Sequence, residues 1–531
     1  MKTVCGIDLG TQSCKVVIYD YEKKSVVARA QTPVDMIAEN DGTREQKAEW
    51  YDAALEACFG AIPAGVRQTI AALGVSGHQH SLVPLDGAGK PLYNVKLWCD
   101  TSTAAECNQI TAAAGGEGRL IAETGLPMRP GYTAPKVQWL KNHKPEAFAK
   151  LRHILLPHDY INFLLTGEYT AEYGDASGSA LMDVRKREWS ARIAGLIDPA
   201  VIGCLPRLIS SDQCAGRVSA AAARRFGIPP GAVVASGGGD NMMGAIGTGA
   251  VRDGSLTMSL GTSGTLFGFS NTPVVDPTGN LAAFCSSTNG WLPLLCTMNC
   301  TVASEEFRGL LGLGVKEFDA EAAKAPVGAG GLVVLPFFNG ERTPNLPNGR
   351  ASLNGATSAN FTRENLARAA LEAAIFGMRI GLEGFKELGY QAQEIRLSGG
   401  GAKSPLWQNI AANVMNLPVR VPSSEEAAAM GASIQALWVL EKQAHPAASI
   451  GAGASIGAGA SIEAGASIGA GASIEAGASI EAGASIEALV DAHVALEGGI
   501  TVNPDPASVE AYNRAYAGYS RYLEALSPLY K

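Results

Sequence analysis

Lys2-Thr3-Val4-Cys5-Gly6-Ile7-Asp8-Leu9-Gly10-Thr11-Gln12-Ser13-Cys14-Lys15-Val16-Val17-Ile18-Tyr19 is the stretch on which the fold turns. Two short apolar runs, Val4 to Ile7 and Lys15 to Tyr19, flank a turn holding Gly10 and Thr11, and Val26 to Ala30 can add a third strand. The pattern predicts a β-hairpin that opens a sheet. It is not the strand, glycine loop and helix of a dinucleotide site, because no G-x-G-x-x-G surrounds Gly10 and β-branched residues follow at once. A second copy stands about half a chain later, where Ser259-Leu260-Gly261-Thr262-Ser263-Gly264 lies inside Ser255 to Ser270. Both copies place Leu-Gly-Thr in a strand–turn–strand context. The repeat suggests two related α/β halves whose turns face a common cleft.

Working outward, Gln46 to Ile62 and Thr101 to Gly116 have helical character, while Thr69 to Val75, Leu82 to Leu85 and Val233 to Ser236 read as strands. The C-terminal half offers a strand at Gly331 to Phe337, a long helix at Thr362 to Leu388, a strand at Ile395 to Leu397 and a helix at Ser404 to Met415. Asn416 to Val421 and Glu425 to Leu440 continue the pattern. Tyr512, Tyr516, Tyr519 and Leu523 recur at helical spacing in Pro506 to Leu526 and predict a packing face. With 531 residues, two large domains are expected, divided as 1–248 and 249–531. Residues 448–489 are seven six-residue units of the type Ala-Ser-Ile-(Gly/Glu)-Ala-(Gly/Leu). That period can build a short β-helix, but small residues bury little area against their ordering entropy, so a protruding, flexible insertion is expected.

Composition narrows the function. The chain is 47% apolar, 17% charged and carries a formal net charge of -8, with no clustered Lys/Arg surface, which argues against a nucleic-acid partner. No apolar run of about 18 residues lies outside the Gly/Ala-rich repeat, so no membrane association is expected. The ten Cys lack metal-ligand or disulfide-framework spacing and read as reduced cytoplasmic thiols. The oligomeric state stays open, a homodimer included.

Several residues carry chemistry. The turn residues Thr11, Gln12, Ser13 and Lys15, with Gly261, Thr262 and Ser263 of the second hairpin, can offer backbone N–H groups, hydroxyls and a cation to phosphate oxygens. Asp8 at the strand end can hold a divalent metal such as Mg2+. In Gly237-Gly238-Gly239-Asp240-Asn241 a strand delivers a carboxylate to the tip of a rigid element, where Asp240 can take the proton of an attacking hydroxyl or cap the following helix. His78, Gln79 and His80 follow another strand, and Trp98 with Asp100 adds an aromatic face and a carboxylate. Together they suit a polyhydroxylated ligand better than a core. Ile395 to Ser404 ends a strand in three glycines, so Gly400, Gly401 and Ala402 can lie against a flat purine or ribose.

The sequence resembles the FGGY carbohydrate kinases, a branch of the actin and hexokinase superfamily, and within it the members that act on D-xylulose. Asp8 to Ser13 and Ser259 to Gly264 resemble the family's two phosphate motifs, Gly131 to His143 with Lys136 and Trp139 its first signature, Leu335 to Gly355 the approach to its second, and Gly399 to Lys403 its adenosine motif. The resemblance covers nearly the whole chain outside 448–489. It implies an α/β fold of two ribonuclease-H-like (actin/hexokinase-type) domains flanking an interdomain cleft, the N-terminal one holding sugar and the C-terminal one ATP. It further implies Asp240 as catalytic base, His80 and Asn241 beside the sugar, and Asn409 near the nucleotide. The expected reaction is ATP-dependent phosphorylation of D-xylulose to D-xylulose 5-phosphate. Some relatives carry Gln-Met-His where this chain has His78-Gln79-His80, so D-ribulose, L-xylulose and erythritol stand as alternative substrates. An actin-like ATPase without a sugar acceptor is the competing class.

Overall fold

The computed structural model describes residues 2–423, 426–445 and 484–530. Two mixed sheets organise the chain. The first runs Cys214–Arg217, Val233–Ala235, Ile70–Gly77, Thr3–Leu9, Ser13–Asp20, Ser25–Pro33, with Gly238–Gly239 also pairing Ile70–Gly77. The second runs Leu496–Val502, Val419–Pro422, Glu394–Ser398, Ser255–Leu260, Gly264–Gly268, Trp291–Thr297, Ala282–Cys285. Each begins with an antiparallel edge pair, continues through parallel central strands and ends in an antiparallel meander. The hairpin repeat is thus the visible part of a duplicated sheet.

Side-chain alternation explains why the first strand is apolar on both faces. Cys5, Ile7 and Leu9 join the core under the helix Ala48–Ala61, whereas Val4 joins a separate core with Ala432, Ile434 and Trp438. The latter residues belong to the helix Ala427–Ala444. This helix lies in sequence between the second-sheet strands Val419–Pro422 and Leu496–Val502 but packs across the first sheet, and it also crosses the helix Asp240–Thr248. The division at 248/249 falls in the connection between Asp240–Thr248 and Ser255–Leu260, yet part of the later chain covers the N-terminal sheet.

Predicted elements differ from the structure mostly at their ends. The first long helix begins at Ala48, because Lys47 is extended and Gln46 belongs to the strand Arg44–Gln46. In the C-terminal helix Pro506–Leu526, Tyr512, Tyr516 and Tyr519 are buried as expected, and Arg368 lies under Tyr512. Most of the hexad segment lies outside the described residues. Its last unit does not protrude: Ser485 caps a helix, Ile486–His493, whose Ile486, Leu489 and Val490 are buried in the same core as Val4. Among the described residues no helix is long and apolar enough to cross a membrane.

Candidate active site

Strand register sets the first carboxylate. Thr3–Leu9 and Ile70–Gly77 run parallel with Asp8 opposite Ser76, so the Ser76 hydroxyl donates to Asp8 Oδ1 at 2.8 Å. Burial pushes the Asp8 carboxyl above its ordinary range, against the Ser76 bond and the Lys15 charge. Past Asp8 the turn closes through Gly10 N–H to Ser13 O, 3.0 Å. Thr11 Oγ1 accepts from Trp98 Nε1 at 2.9 Å, Ser13 Oγ accepts from Gln31 at 3.0 Å, and Gln12 is exposed. Lys15 pairs with Glu426 at 2.6 Å, beside the crossing helix.

The second hairpin repeats this geometry with one change. Ser259 faces Ser398 across parallel strands where the first hairpin has Asp8 facing Ser76, so the carboxylate occurs in one copy only. Gly261, Thr262 and Ser263 form its turn, with the carbonyls of Gly261 and Thr262 accepting from Thr301 and Cys300. Gly400, Gly401 and Ala402 lie in the 3-10 turn Gly400–Lys403, one residue after Ser398, with Gly401 against Leu260 and the ring of Trp407. Asn409 is exposed on the next helix, its amide donating to Pro405 O at 2.8 Å.

Asp240 opens the helix Asp240–Thr248, and Gly239 rather than Asp240 is its N-cap residue. The turn before it needs glycine: Gly237 has φ +75°, and a Cβ on Gly239 would lie 2.6 Å from Gln79 Cγ. This close approach sets Asp240 against the end of the neighbouring strand. Asp240 Oδ1 accepts from Asn241 N at 2.8 Å and Asn241 Nδ2 at 3.1 Å. Asn241 also donates to Gln79 Oε1 at 2.7 Å and accepts from Thr265 Oγ1 at 3.3 Å, which ties Asp240 to the second hairpin. Burial, then the negative charges of Asp8 and Asp175, push the Asp240 carboxyl up to about 7.

The histidines separate. His78 is fully buried, its ring nitrogens within 3.1 Å of Tyr51 Oη and 2.9 Å of Ser81 Oγ, and burial holds it down to about 3. It braces the strand end and has no nitrogen left for a ligand, a correction to the sugar-binding expectation. His80, at φ +61°, turns between Tyr132 and Phe284, with ring centroids 5.4 and 5.1 Å away. Burial and the charges of Lys136 and Arg342 keep it neutral, and its Nδ1 lies 3.8 Å from Asp175. Asp100 is likewise buried, with Lys96 at 3.0 Å, Arg44 N at 2.8 Å and the Ser102 hydroxyl at 2.6 Å. Its carboxylate is engaged by these neighbours, and Trp98 is half-buried.

Behind His80 lies a buried chain that local sequence patterns do not announce. Asp175 Oδ2 is 2.9 Å from His158 Nδ1, and His158 Nε2 is 2.9 Å from Asp159 Oδ1. Burial opposes charge on His158, but Asp159 and Asp175 outweigh it and raise the imidazole to about 10. A raised histidine stabilises the fold fully below its unfolded value and loses that contribution as pH rises through about 10. Between pH 7 and 9, unfolding free energy from urea melts is therefore expected to fall by up to about 1.4 kcal/mol per pH unit from this group. His158→Gln, weaker overall, should show a flatter slope; equal slopes in both proteins would remove His158 as the source.

Among the described residues no three His, Cys, Asp or Glu side chains cluster to hold a metal by themselves. A divalent ion shared with phosphate oxygens needs only one or two carboxylates. Asp8, facing the turn at Gly10 to Ser13, is the residue suited to it.

Residues 3–247 match the N-terminal domain and residues 256–440 the C-terminal domain of the FGGY family of carbohydrate kinases. A xylulose kinase of Haemophilus influenzae is 44% identical over 445 residues, covering 82% of this chain and 90% of the relative. A xyloylose kinase structure from Brucella ovis superposes with TM-score 0.86 at 27% identity, covering 99% of this chain and 100% of that one. A gluconate kinase structure from Lactobacillus acidophilus has the same TM-score, 0.86, at 21% identity over 100% of this chain and 99% of that one, a likeness of fold alone. The chain belongs to the FGGY family of carbohydrate kinases. It is an ATP-dependent sugar kinase built from two α/β domains of the actin/hexokinase type flanking a cleft.

Proposed function

We propose that this enzyme phosphorylates D-xylulose at its terminal hydroxyl, giving D-xylulose 5-phosphate and ADP, as a cytoplasmic protein acting on a free small sugar. The hydroxyl oxygen forms the new bond to the γ-phosphorus, the bond from phosphorus to the ADP oxygen breaks, and the proton passes to Asp240. Bound Mg2+ beside Asp8 would neutralise charge on the phosphates. The two hairpin turns hold the phosphates, the Gly400 to Ala402 turn lies against the nucleoside, and Gln79, His80, Trp98 and Asn241 bind the sugar.

The observation that carries this reading is the Asp240 carboxylate, raised to about 7 and tied through Asn241 to Gln79 at the strand end that also carries His80. A base near neutral pH beside hydrogen-bonding side chains suits a polyol acceptor. The 44% identity to a xylulose kinase supports the choice among sugars. The test is ADP release with Mg-ATP against D-xylulose, L-xylulose, D-ribulose, erythritol and gluconate. D-xylulose should give the highest kcat/KM by at least about tenfold, a margin one well-placed hydrogen bond supplies. Preference for another sugar would replace the substrate; release indifferent to every sugar would sink the acceptor assignment.

A further inference from the structure

We infer that Arg342 is a specificity-determining residue for the acceptor, a cation of the C-terminal half that crosses the cleft to hydrogen-bond the sugar's hydroxyl groups. The inference rests on the sugar-kinase reading above.

Arg342 stands on a fixed loop. Glu341 and Leu346 exchange backbone hydrogen bonds of 2.8 and 2.9 Å. The buried Glu341 carboxylate accepts from Met298 N at 2.6 Å, Asn299 Nδ2 at 3.1 Å and Arg342 N at 2.7 Å. It is thereby spent on its own loop and does not pair with the guanidinium. From this base the side chain reaches into the N-terminal half. Its Nη2 would stand 3.5 Å from a Cβ on Gly131, and the guanidinium carbon lies 6.0 Å from the Trp98 ring centroid. Tyr132 and His80 are close enough to feel its charge. The Cys296 thiol lies beside it, and among the described residues no carboxylate forms an ion pair with it.

A half-buried guanidinium normally meets a carboxylate, because its donors lose water without a replacement. Here the guanidinium, a planar fork of N–H donors, lies against Trp98 and Gly131 with Tyr132 and His80 nearby, in the half of the cleft assigned to the sugar. A vicinal pair of sugar hydroxyls supplies the missing acceptors. Because the residue comes from the nucleotide-binding half, the contact also lets the acceptor report how the two halves stand, which adds discrimination between sugars whose hydroxyls differ in configuration.

The experiment uses the full-length enzyme with Mg-ATP and whichever sugar the unaltered protein phosphorylates best. Arg342→Ala should raise the sugar KM, and the sugar dissociation constant measured by calorimetry without nucleotide, by about tenfold to hundredfold. The KM for ATP should move by less than about twofold, and Arg342→Lys should recover part of the loss. A rise in the ATP KM with the sugar KM unchanged places Arg342 on the phosphates and overturns the inference. Lower thermal stability with both KM values intact makes it a brace and overturns it equally. Absence of sugar-dependent ADP release from the unaltered enzyme would instead fell the kinase reading and this inference with it, an outcome distinct from the other two.

Discussion

Asp240→Asn is expected to lower kcat by about 10²- to 10⁴-fold while the sugar dissociation constant changes little, because the amide keeps the shape and cannot take the proton. The neighbours make the substitution a clean one. Asp240 Oδ1 accepts both of its hydrogen bonds from Asn241, and an amide oxygen can take the same place. The carboxyl titrates near 7, so in the unaltered enzyme kcat/KM should rise with pH through about 7 as the base form fills. Asp175→Asn removes one of the charges that raise Asp240, and its acid limb should move to lower pH. Single-turnover phosphorylation across pH 5.5 to about 9, with and without each substitution, reads both effects. A kcat for Asp240→Asn within about threefold of the unaltered enzyme would exclude Asp240 as the base.

The features that were legible in the sequence are those written locally. Asp8 and the turn Gly10 to Ser13 announced themselves because a strand, a glycine turn and a second strand occur twice, and the structure shows that the two copies occupy equivalent places in equivalent sheets. Asp240 stood out because three glycines at a strand end deliver a carboxylate to the tip of a rigid element, and the structure places it in the first turn of the helix Asp240–Thr248. Burial was not legible. His78 and Asp100 have the right chemistry and neighbours in sequence, yet Tyr51 and Ser81 claim the one, and Lys96, Arg44 and Ser102 the other.

What escaped the sequence altogether came from residues joined only by tertiary folding. His158 and Asp175 reach His80 from a helix and a short turn far along the chain, and no spacing rule links them. Arg342 lies in a segment that was readable as the approach to a family signature, but its placement against Trp98 and Gly131 depends on how Glu341 locks the loop. The helical pattern of Glu425 to Leu440 was plain; the sheet it covers was not. Both faces of Thr3–Leu9 are apolar, which says only that something covers each face.

That covering helix sets up the second large effect. Gly431→Ala is expected to destabilise the protein by about 3 kcal/mol or more and to reduce activity of the fraction that remains folded. A Cβ at Gly431 would stand 1.9 Å from the Met243 carbonyl oxygen, and one at Gly247 would stand 1.8 Å from that of Ala427. Both obstacles are backbone, so no rotamer change relieves them, and the helices Asp240–Thr248 and Ala427–Ala444 must separate. The first of these carries Asp240 at its start. A shift of about 1 Å there moves the base out of line with the hydroxyl, a displacement that can cost about a hundredfold in rate. Gly244→Ala is the matched control, since its Cβ would meet nothing nearer than the Phe267 ring at 3.9 Å. In a helix interior it should be neutral or stabilise by up to about 1 kcal/mol. Urea midpoints and kcat measured on the two variants distinguish a crossing that depends on glycine from one that does not. If Gly431→Ala melts with the unaltered protein, the two helices are not in backbone contact, and Asp240 must owe its position to the strand end at Gly237 to Gly239 alone.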